Sequence, residues 1–539
     1  MSWQPAGLPG RVGGGHPELF NRRFYDLLGA ALAGLVALAL ALVVAIAYPK
    51  PSYALVIAVL AGGLALSALI ANRRLELSVA FLAVYLGCIN GPIKLIGHAG
   101  VLTAGLQDVL ILTVFFSVLV RRAREGKKLT LPPLSPWVLS FVFVVLIEAF
   151  NPRTQGLLKI GAGFRQQLQW VPFFLFGYLL VRSKARIRTM FVILGVVATL
   201  NGLTSTYQTQ LSPKQLASWG PGYANKVEGK NKRTYGGGEG VAHVRPPGLG
   251  QESGTGAGFG LIAAAGTFAL ILLWKRRRWL AMVLAFGALA AIATGLGRLQ
   301  VVGGVISLVA FAMLSLSSGR RVVRLMTIFV GLLAVVVTVG ALFVSAVGSG
   351  VFKRYESISP ERVTSSATGY KQNDLSAIPG HLRAAPFGFG LGTSGAAGGF
   401  GGRVTEEFEG HDVNAETQFN FLSNELGLPG LLVWTGLIVA ICLMAVQRIR
   451  KIRDPELQML LAAAFAPVIA LAAMAYDGPI SGSSASGPYF WFAVGMAAYW
   501  FHGPGWKVAM AKPSPEPEEP TRMLSGSLSG PPSGTLQPA

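Results

Sequence analysis

Three arginines in this sequence sit at the edges of apolar runs, where an arginine either snorkels into water or meets an anion. Arg298 ends the short turn Thr294-Gly295-Leu296-Gly297-Arg298 between two such runs. Arg165 belongs to Gly161-Ala162-Gly163-Phe164-Arg165-Gln166-Gln167, just ahead of another. Arg245 precedes Pro246-Pro247-Gly248, which stiffens the chain before a third. A guanidinium binds phosphate through forked, charge-assisted hydrogen bonds, so three arginines that converge make a diphosphate site. Taken singly, each is equally well read as a solvated loop residue.

Two further segments invite chemistry. Pro386-Phe387-Gly388-Phe389-Gly390-Leu391-Gly392-Thr393-Ser394-Gly395 carries alternating glycines. Read for function, this is a phosphate cradle; read for structure, a tightly turning loop, and no strand–turn–helix pattern supports a nucleotide site. The segment 414–430 has helical spacing with Asn414 available as its cap. Glu416, Asn420, Ser423 and Gly427 share one face, which is either a cavity wall or a solvated surface.

The elements that must position these residues follow from composition. Of 539 residues only 13% are charged, while 52% are of the AVILMFWYC set, and the mean hydropathy is +0.53. That excludes a string of soluble domains. The apolar runs are continuous, which excludes a transmembrane barrel. The expected class is all-α, a polytopic integral membrane protein. Apolar runs occupy 27–47, 53–71, 76–91, 101–120, 136–150, 169–181, 189–206, 255–274, 279–296, 300–317, 325–346, 428–446, 458–475 and 487–502. That is fourteen spans, or as few as twelve, since 136–150 and 169–181 fall short of the roughly 20 residues a bilayer needs. Apart from Glu148 near a span end, the runs read as almost free of ionisable residues, which argues against proton-coupled transport.

A net charge of +22 would suggest nucleic acid in a soluble chain. Here basic pieces alternate with the spans: 73–74, 121–128, 182–188, 275–278, 320–324 and 448–453. The positive-inside rule then puts both termini in the cytoplasm and the loops 207–254 and 347–427 outside. No nucleic-acid partner is expected. The expected division is a cytoplasmic segment 1–26, a membrane domain 27–502 and a disordered cytoplasmic tail 503–539 rich in Pro, Ser and Gly. Cys88 and Cys442 both lie in apolar runs, so neither a disulfide framework nor a metal site is expected.

The run Asn420-Phe421-Leu422-Ser423-Asn424-Glu425-Leu426-Gly427-Leu428-Pro429-Gly430-Leu431 resembles the large-loop signature of O-antigen ligases and O-antigen or exopolysaccharide polymerases. Asn151-Pro152 with Gly163-Phe164-Arg165, Arg298 after Thr294, and the glycine segment ahead of the signature are similar to further motifs of that family. The resemblance covers residues 100–500. It implies a metal-independent, cofactor-free glycosyltransferase of a bacterial inner membrane, acting on the extracytoplasmic face. Its substrates would be an undecaprenyl-diphosphate-linked oligosaccharide and an acceptor glycan, beside membrane lipid and other polysaccharide-assembly proteins. Ligases of the family resemble His, then Asn, Ser or Gln, then nine residues, then Gly-x-x-Gly. Counting back from Gly427 and Gly430 places Glu416 there, followed by Thr417. That departure favours polymerase over ligase. It makes Glu416 the expected base and His411 the alternative, with Arg165, Arg245 and Arg298 on the diphosphate. A transporter or flippase of a lipid-linked sugar is the rival from another class.

Overall fold

The structure is a computed structural model, and it describes residues 74–96, 100–124, 131–152, 154, 156–228, 234–235, 243–315, 331, 370–395, 417–480 and 482–511. Within them the regular secondary structure is helical, apart from one two-residue β-ladder. The helices are α1 (Leu75–Ile96), α2 (Gly100–Arg124), α3 (Ser135–Glu148), α4 (Leu157–Leu168), α5 (Pro172–Leu180) and α6 (Lys184–Thr209). Then come α7 (Pro213–Ala217), α8 (Pro221–Glu228), α9 (Thr255–Leu273), α10 (Arg278–Thr294), α11 (Arg298–Ser315) and α12 (Tyr370–Ala384). The chain ends in α13 (Gln418–Ile449), α14 (Pro455–Met474), α15 (Ser486–Ala497) and α16 (Pro504–Met510). The runs expected at 27–47, 53–71 and 325–346 lie outside the described residues, as does most of the tail.

Six of these helices are long and apolar enough to cross a membrane: α1, α6, α9, α11, α13 and α14. This is a helical membrane protein. The two short runs form short helices. With nine residues, α5 is only about 14 Å long at 1.5 Å per residue, less than half the ~30 Å hydrocarbon core.

Lipid offers no hydrophobic drive between helices, so close packing of small residues must hold them together. At Gly177 of α5, a Cβ would collide with the Phe492 carbonyl of α15. At Gly495 of α15 it would collide with the Phe174 carbonyl of α5. The two backbones therefore touch through reciprocal glycines. The trio α6, α9 and α10 meets in the same way, with Gly202 against the Gly287 carbonyl and Gly260 against the Ala288 carbonyl. Polar groups caught in this interior find backbone partners: Tyr489 donates to the Ala464 carbonyl (2.7 Å) and Trp500 Nε1 to the Val181 carbonyl (2.7 Å).

The basic pieces at 182–188, 275–278 and 448–453 gather at one end of the bundle. Lys184 of α6 pairs with Asp454 (2.9 Å) and Glu456 (3.0 Å) at the start of α14. Arg186 pairs with Glu76 of α1, and Arg448 at the end of α13 donates to the Phe501 carbonyl. The opposite end carries the start of α13, where Gln418 Oε1 accepts from the Ile480 N–H (2.7 Å). In the described part of 207–254, α7, α8 and the ladder Thr234↔Val244, Tyr235↔His243 accompany a small core of Leu95, Leu216, Tyr223, Val227 and Val244. Cys88 and Cys442 are free thiols.

The backbone contact between α5 and α15 leads to a stability prediction. Gly177→Leu and Gly495→Leu should each lower stability by about 1–3 kcal/mol, the usual cost of overpacking, or more because backbone must move. Thermal unfolding of the detergent-purified protein checks this. Unchanged melting in both variants would contradict the packing described.

Candidate functional site

The site is organised by α4, whose two faces do different things. Lys159, Gly163 and Gln167 are its buried face. A Cβ on Gly163 would lie 2.6 Å from the Gly392 nitrogen and 2.7 Å from Leu391 Cβ. Glycine there lets α4 sit directly on the 386–395 loop. One turn on, Gln166 Nε2 donates to the Ser394 carbonyl (3.0 Å) and to Glu425 Oε1 (2.9 Å). Gln167 Nε2 donates to Glu425 Oε2 (2.7 Å).

Glu425 lies in the first stretch of α13 and is fully buried, at 0% exposure. Besides the two glutamines, it accepts from the backbone N–H of Ser394 (3.1 Å) and of Gly392. All four donors are neutral amides. A buried carboxylate is costly unless its oxygens are hydrogen-bonded, and here the donors come from two segments far apart in sequence. Glu425 thereby ties α4 and the glycine loop to α13.

The glycine loop is shaped to reach that carboxylate. Gly388 has φ +92° and Gly427 φ +58°, a region that side-chain-bearing residues rarely adopt. A Cβ on Gly388 would lie 2.6 Å from the Glu425 carbonyl oxygen. The loop docks through Phe389 N–H to the Asn424 carbonyl (2.6 Å) and through Leu428 N–H to the Pro386 carbonyl (2.8 Å). The Asn151-Pro152 turn joins from the other side: Asn151 Nδ2 donates to the Gly388 carbonyl (3.1 Å) and to Glu148 Oε2 (2.9 Å). Leu391 N–H donates to Thr154 Oγ1 (3.1 Å). The N–H groups of Phe389, Leu391, Gly392 and Ser394 thus already have partners within the protein. The segment is a tight turning loop, and the phosphate-cradle reading is not what its hydrogen bonds describe.

The helix at 414–430 also differs from expectation. It begins at Gln418, and its N-cap is Thr417, whose hydroxyl accepts from the Asn420 N–H (3.1 Å). Asn420, Ser423, Asn424 and Glu425 are all buried, so the polar stripe is not a solvated face. The helix breaks at Gly427. From Leu428 to Ile449 it then runs about 33 Å, enough for the ~30 Å hydrocarbon core. Glu425 therefore sits one turn above the start of a span. Beside it, Ser394 Oγ, Gln167 Oε1 and both polar atoms of the Asn424 side chain are buried without a hydrogen-bond partner among the described residues. Such atoms carry a penalty of about 1–3 kcal/mol each when left unmade. Asn414, Glu416 and His411 lie outside the described residues.

Arg165 projects from the other face of α4. Its Nε donates to Asp108 Oδ2 of α2 (2.6 Å), while Gln169 Nε2 donates to Oδ1 of the same carboxylate. Lys94 of α1 stands close enough for Arg165 and Asp108 both to act on its charge. Its ammonium bridges Gln107 Oε1 (3.1 Å) and Gln251 Oε1 (2.9 Å). Gln251 leads to the other two arginines. It belongs to the turn that follows Arg245, which is half-buried and whose carbonyl accepts from Ser253 Oγ (3.2 Å). Asn201 and Gln208 of α6 pin this turn at Leu249 and Gly248. Gln300, two residues past the exposed Arg298, packs on Gly254 at the end of the same turn. The three arginines thus lie on separate elements: Arg245 in the 245–254 segment itself, Arg298 on the helix whose Gln300 packs on Gly254, and Arg165 linked to the segment only through the field of Lys94, which bonds Gln251.

Glu425 and Asp108 carry this geometry without having been singled out from sequence, and Glu76 was also passed over at the other end of the bundle. Glu425 lay inside the signature run. Asp108 in the run 101–120 and Glu76 in the run 76–91 correct the reading that the spans are nearly free of ionisable groups. An acidic residue inside an apolar run is the signal that marks Asp108. A cavity of about 330 Å³ lies elsewhere, between Phe173, Phe259, Tyr489 and Phe492, with the Glu76–Arg186 pair at one end.

No family model matches the chain, and no curated protein matches it. What fold and site define together is a helical membrane protein with a carboxylate-centred polar junction at the head of a span.

Truncating Glu425 should be severe. Glu425→Ala leaves the N–H donors of Gln167, Gly392 and Ser394 without their acceptor, each worth about 1–3 kcal/mol, so Glu425→Ala should unfold or strongly destabilise the protein. Gly388→Ala should destabilise through both φ and the close approach to Glu425. Melting temperatures in detergent check both, and wild-type stability in Glu425→Ala would contradict the clamp.

Proposed function

We propose that this protein transfers a glycan from undecaprenyl diphosphate to the hydroxyl of an acceptor sugar, polymerising O-antigen or exopolysaccharide repeat units. One observation carries the reading. Four of the motifs on which the family resemblance rests, at 151–152, 163–165, 386–395 and 420–431, are spread over 280 residues of chain, yet they join around Glu425, while the remaining one, Arg298 after Thr294, lies on a separate element. The unpartnered buried polar atoms beside it suit a site that takes a hydroxyl-rich ligand.

In this reading the chain crosses a bacterial inner membrane about fourteen times, with both termini cytoplasmic and 207–254 and 347–427 outside. The acceptor hydroxyl attacks the reducing-end sugar carbon of the donor. The new C–O bond forms as the bond to the diphosphate breaks, and the hydroxyl proton passes to Glu416 or, failing that, His411. Arg165, Arg245 and Arg298 hold the leaving diphosphate, where fixed cations stabilise charge developing in the transition state. Asp108 orients Arg165 and moderates its charge until substrate arrives. Glutamate at 416, where the ligases have histidine, supports polymerisation; the Gly427-x-x-Gly430 spacing shared with ligases supports transfer to a lipid or protein acceptor as the second reading. A flippase is the remaining rival, and Asp108 removes the argument against it that rested on ion-free spans.

The phenotype of a deletion strain separates the three. A polymerase leaves single repeats attached to the acceptor, and a ligase leaves lipid-linked polymer unattached. A flippase strands lipid-linked single repeats on the cytoplasmic face. Reporter fusions at 230 and 403 should be active only with an extracytoplasmic reporter; a cytoplasmic signal at either would reverse the substrate face. Arg165→Ala and Arg298→Ala should lose most activity at normal abundance, with lysine failing to restore Arg298 fully because an ammonium cannot copy the fork. Full activity in both alanine variants would remove the arginines from the mechanism. Glu416→Gln should also lose most activity, and near-normal activity there beside an inactive His411→Ala would move the base to His411.

A further inference from the structure

The basic end of the bundle holds a cavity of about 690 Å³ between the start of α6 and the α9–α10 turn. That volume falls within the ~300–1,000 Å³ range of small-molecule sites. Its lining joins Arg188, Lys275, Arg276 and Arg277 to the apolar side chains of Val192, Leu273 and Leu280. The charges are not matched inside the protein. Glu456 takes Arg188 and Lys184 together, whereas Lys275, Arg276 and Arg277 have no ion pair among the described residues. Arg188 Nε is buried and donates to no acceptor. A buried donor left unmatched beside three unpaired cations calls for an anion with more than one oxygen.

The surroundings say what carries that anion. Trp279, Val283 and Phe286 recur at helical spacing on α10 beside Leu280, and they are exposed, Trp279 at 64%. They form an apolar strip leading away from the basic rim along a helix of the membrane domain. A tryptophan at a helix end beside basic residues is the signature of the membrane–water interface.

We propose that this cavity binds the phosphodiester headgroup of an acidic phospholipid, with an acyl chain along the Trp279–Val283–Phe286 strip. Basic pockets between membrane helices at the basic end are suited to such headgroups. The site is separate from the Glu425 junction and stands whether or not the proposed transfer reaction holds.

The test uses the full-length protein in neutral detergent, titrated with phosphatidylglycerol, phosphatidylcholine or water-soluble glycerol 3-phosphate and read by native mass spectrometry. Phosphatidylglycerol should bind in preference to phosphatidylcholine. The triple substitution Lys275→Ala, Arg276→Ala, Arg277→Ala should weaken it about a hundredfold, from about 1 kcal/mol for each cation near an anionic surface. Leu280→Trp, which fills the cavity and keeps every charge, should weaken it also, so the inference stays testable if the triple variant misfolds. Glycerol 3-phosphate should bind far more weakly than the lipid. Equal binding of the two lipids, unchanged phosphatidylglycerol binding in the variants, or glycerol 3-phosphate binding as tightly as the lipid would each overturn the proposal.

Discussion

A single fully buried carboxylate, Glu425, sets the arrangement of everything around it. Removing an anion from water is prohibitive unless its oxygens are matched by donors, and here the matching is done by four amide N–H groups. Two are side chains of α4 and two belong to the glycine loop. Neither can leave without orphaning the carboxylate, so each holds the other in register. The glycines serve this purpose, because only a backbone free to take positive φ brings the Gly392 and Ser394 N–H groups to one point.

The consequence for function passes along α4. Gln166 is clamped by Glu425, and Arg165 is its sequence neighbour on another face. Fixing the glutamine therefore fixes where the guanidinium emerges, beside Asp108 and within reach of the field of Lys94. The Arg165–Asp108 pair is partly exposed, and pairs of that kind add only about 0–1 kcal/mol. Its value is in orientation. A guanidinium held by one carboxylate oxygen keeps further N–H groups free to donate, which the proposed transfer reaction would use on the diphosphate.

Much of the architecture was legible in the sequence, for a plain reason. Helices long enough to cross a membrane must be apolar along their whole length, so α6, α9, α11, α13 and α14 stand out as runs whose positions follow the hydropathy. The break at Gly427 was not legible: the segment 414–430 reads as one continuous helix with Gly427 on its polar face, although the apolar run starts at 428. Equally hidden was what joins to what. Gln166 and Glu425 are 259 residues apart, and no local pattern announces that pairing. The stripe at Asn420, Ser423 and Gly427 has the spacing of a solvated helix face, and only the loop folded over it makes it interior. The cap moved from Asn414 to Thr417 because both residue types cap well, and the tertiary contact of Gln418 with the 475–480 turn decides where the helix starts. Asp108 was hidden by its company, one acid in a run of leucines and valines.

The most direct test of the account is turnover by the purified protein in detergent or vesicles, supplied with an undecaprenyl-diphosphate-linked repeat unit as donor and acceptor. The quantity to measure is undecaprenyl diphosphate released alongside lengthened glycan. The account predicts release matched to bond formation in the wild type, and loss of both in Arg165→Ala with the folded protein intact. Undecaprenyl diphosphate never released by wild-type protein of normal stability, with donor and acceptor of the native glycan present, would contradict it.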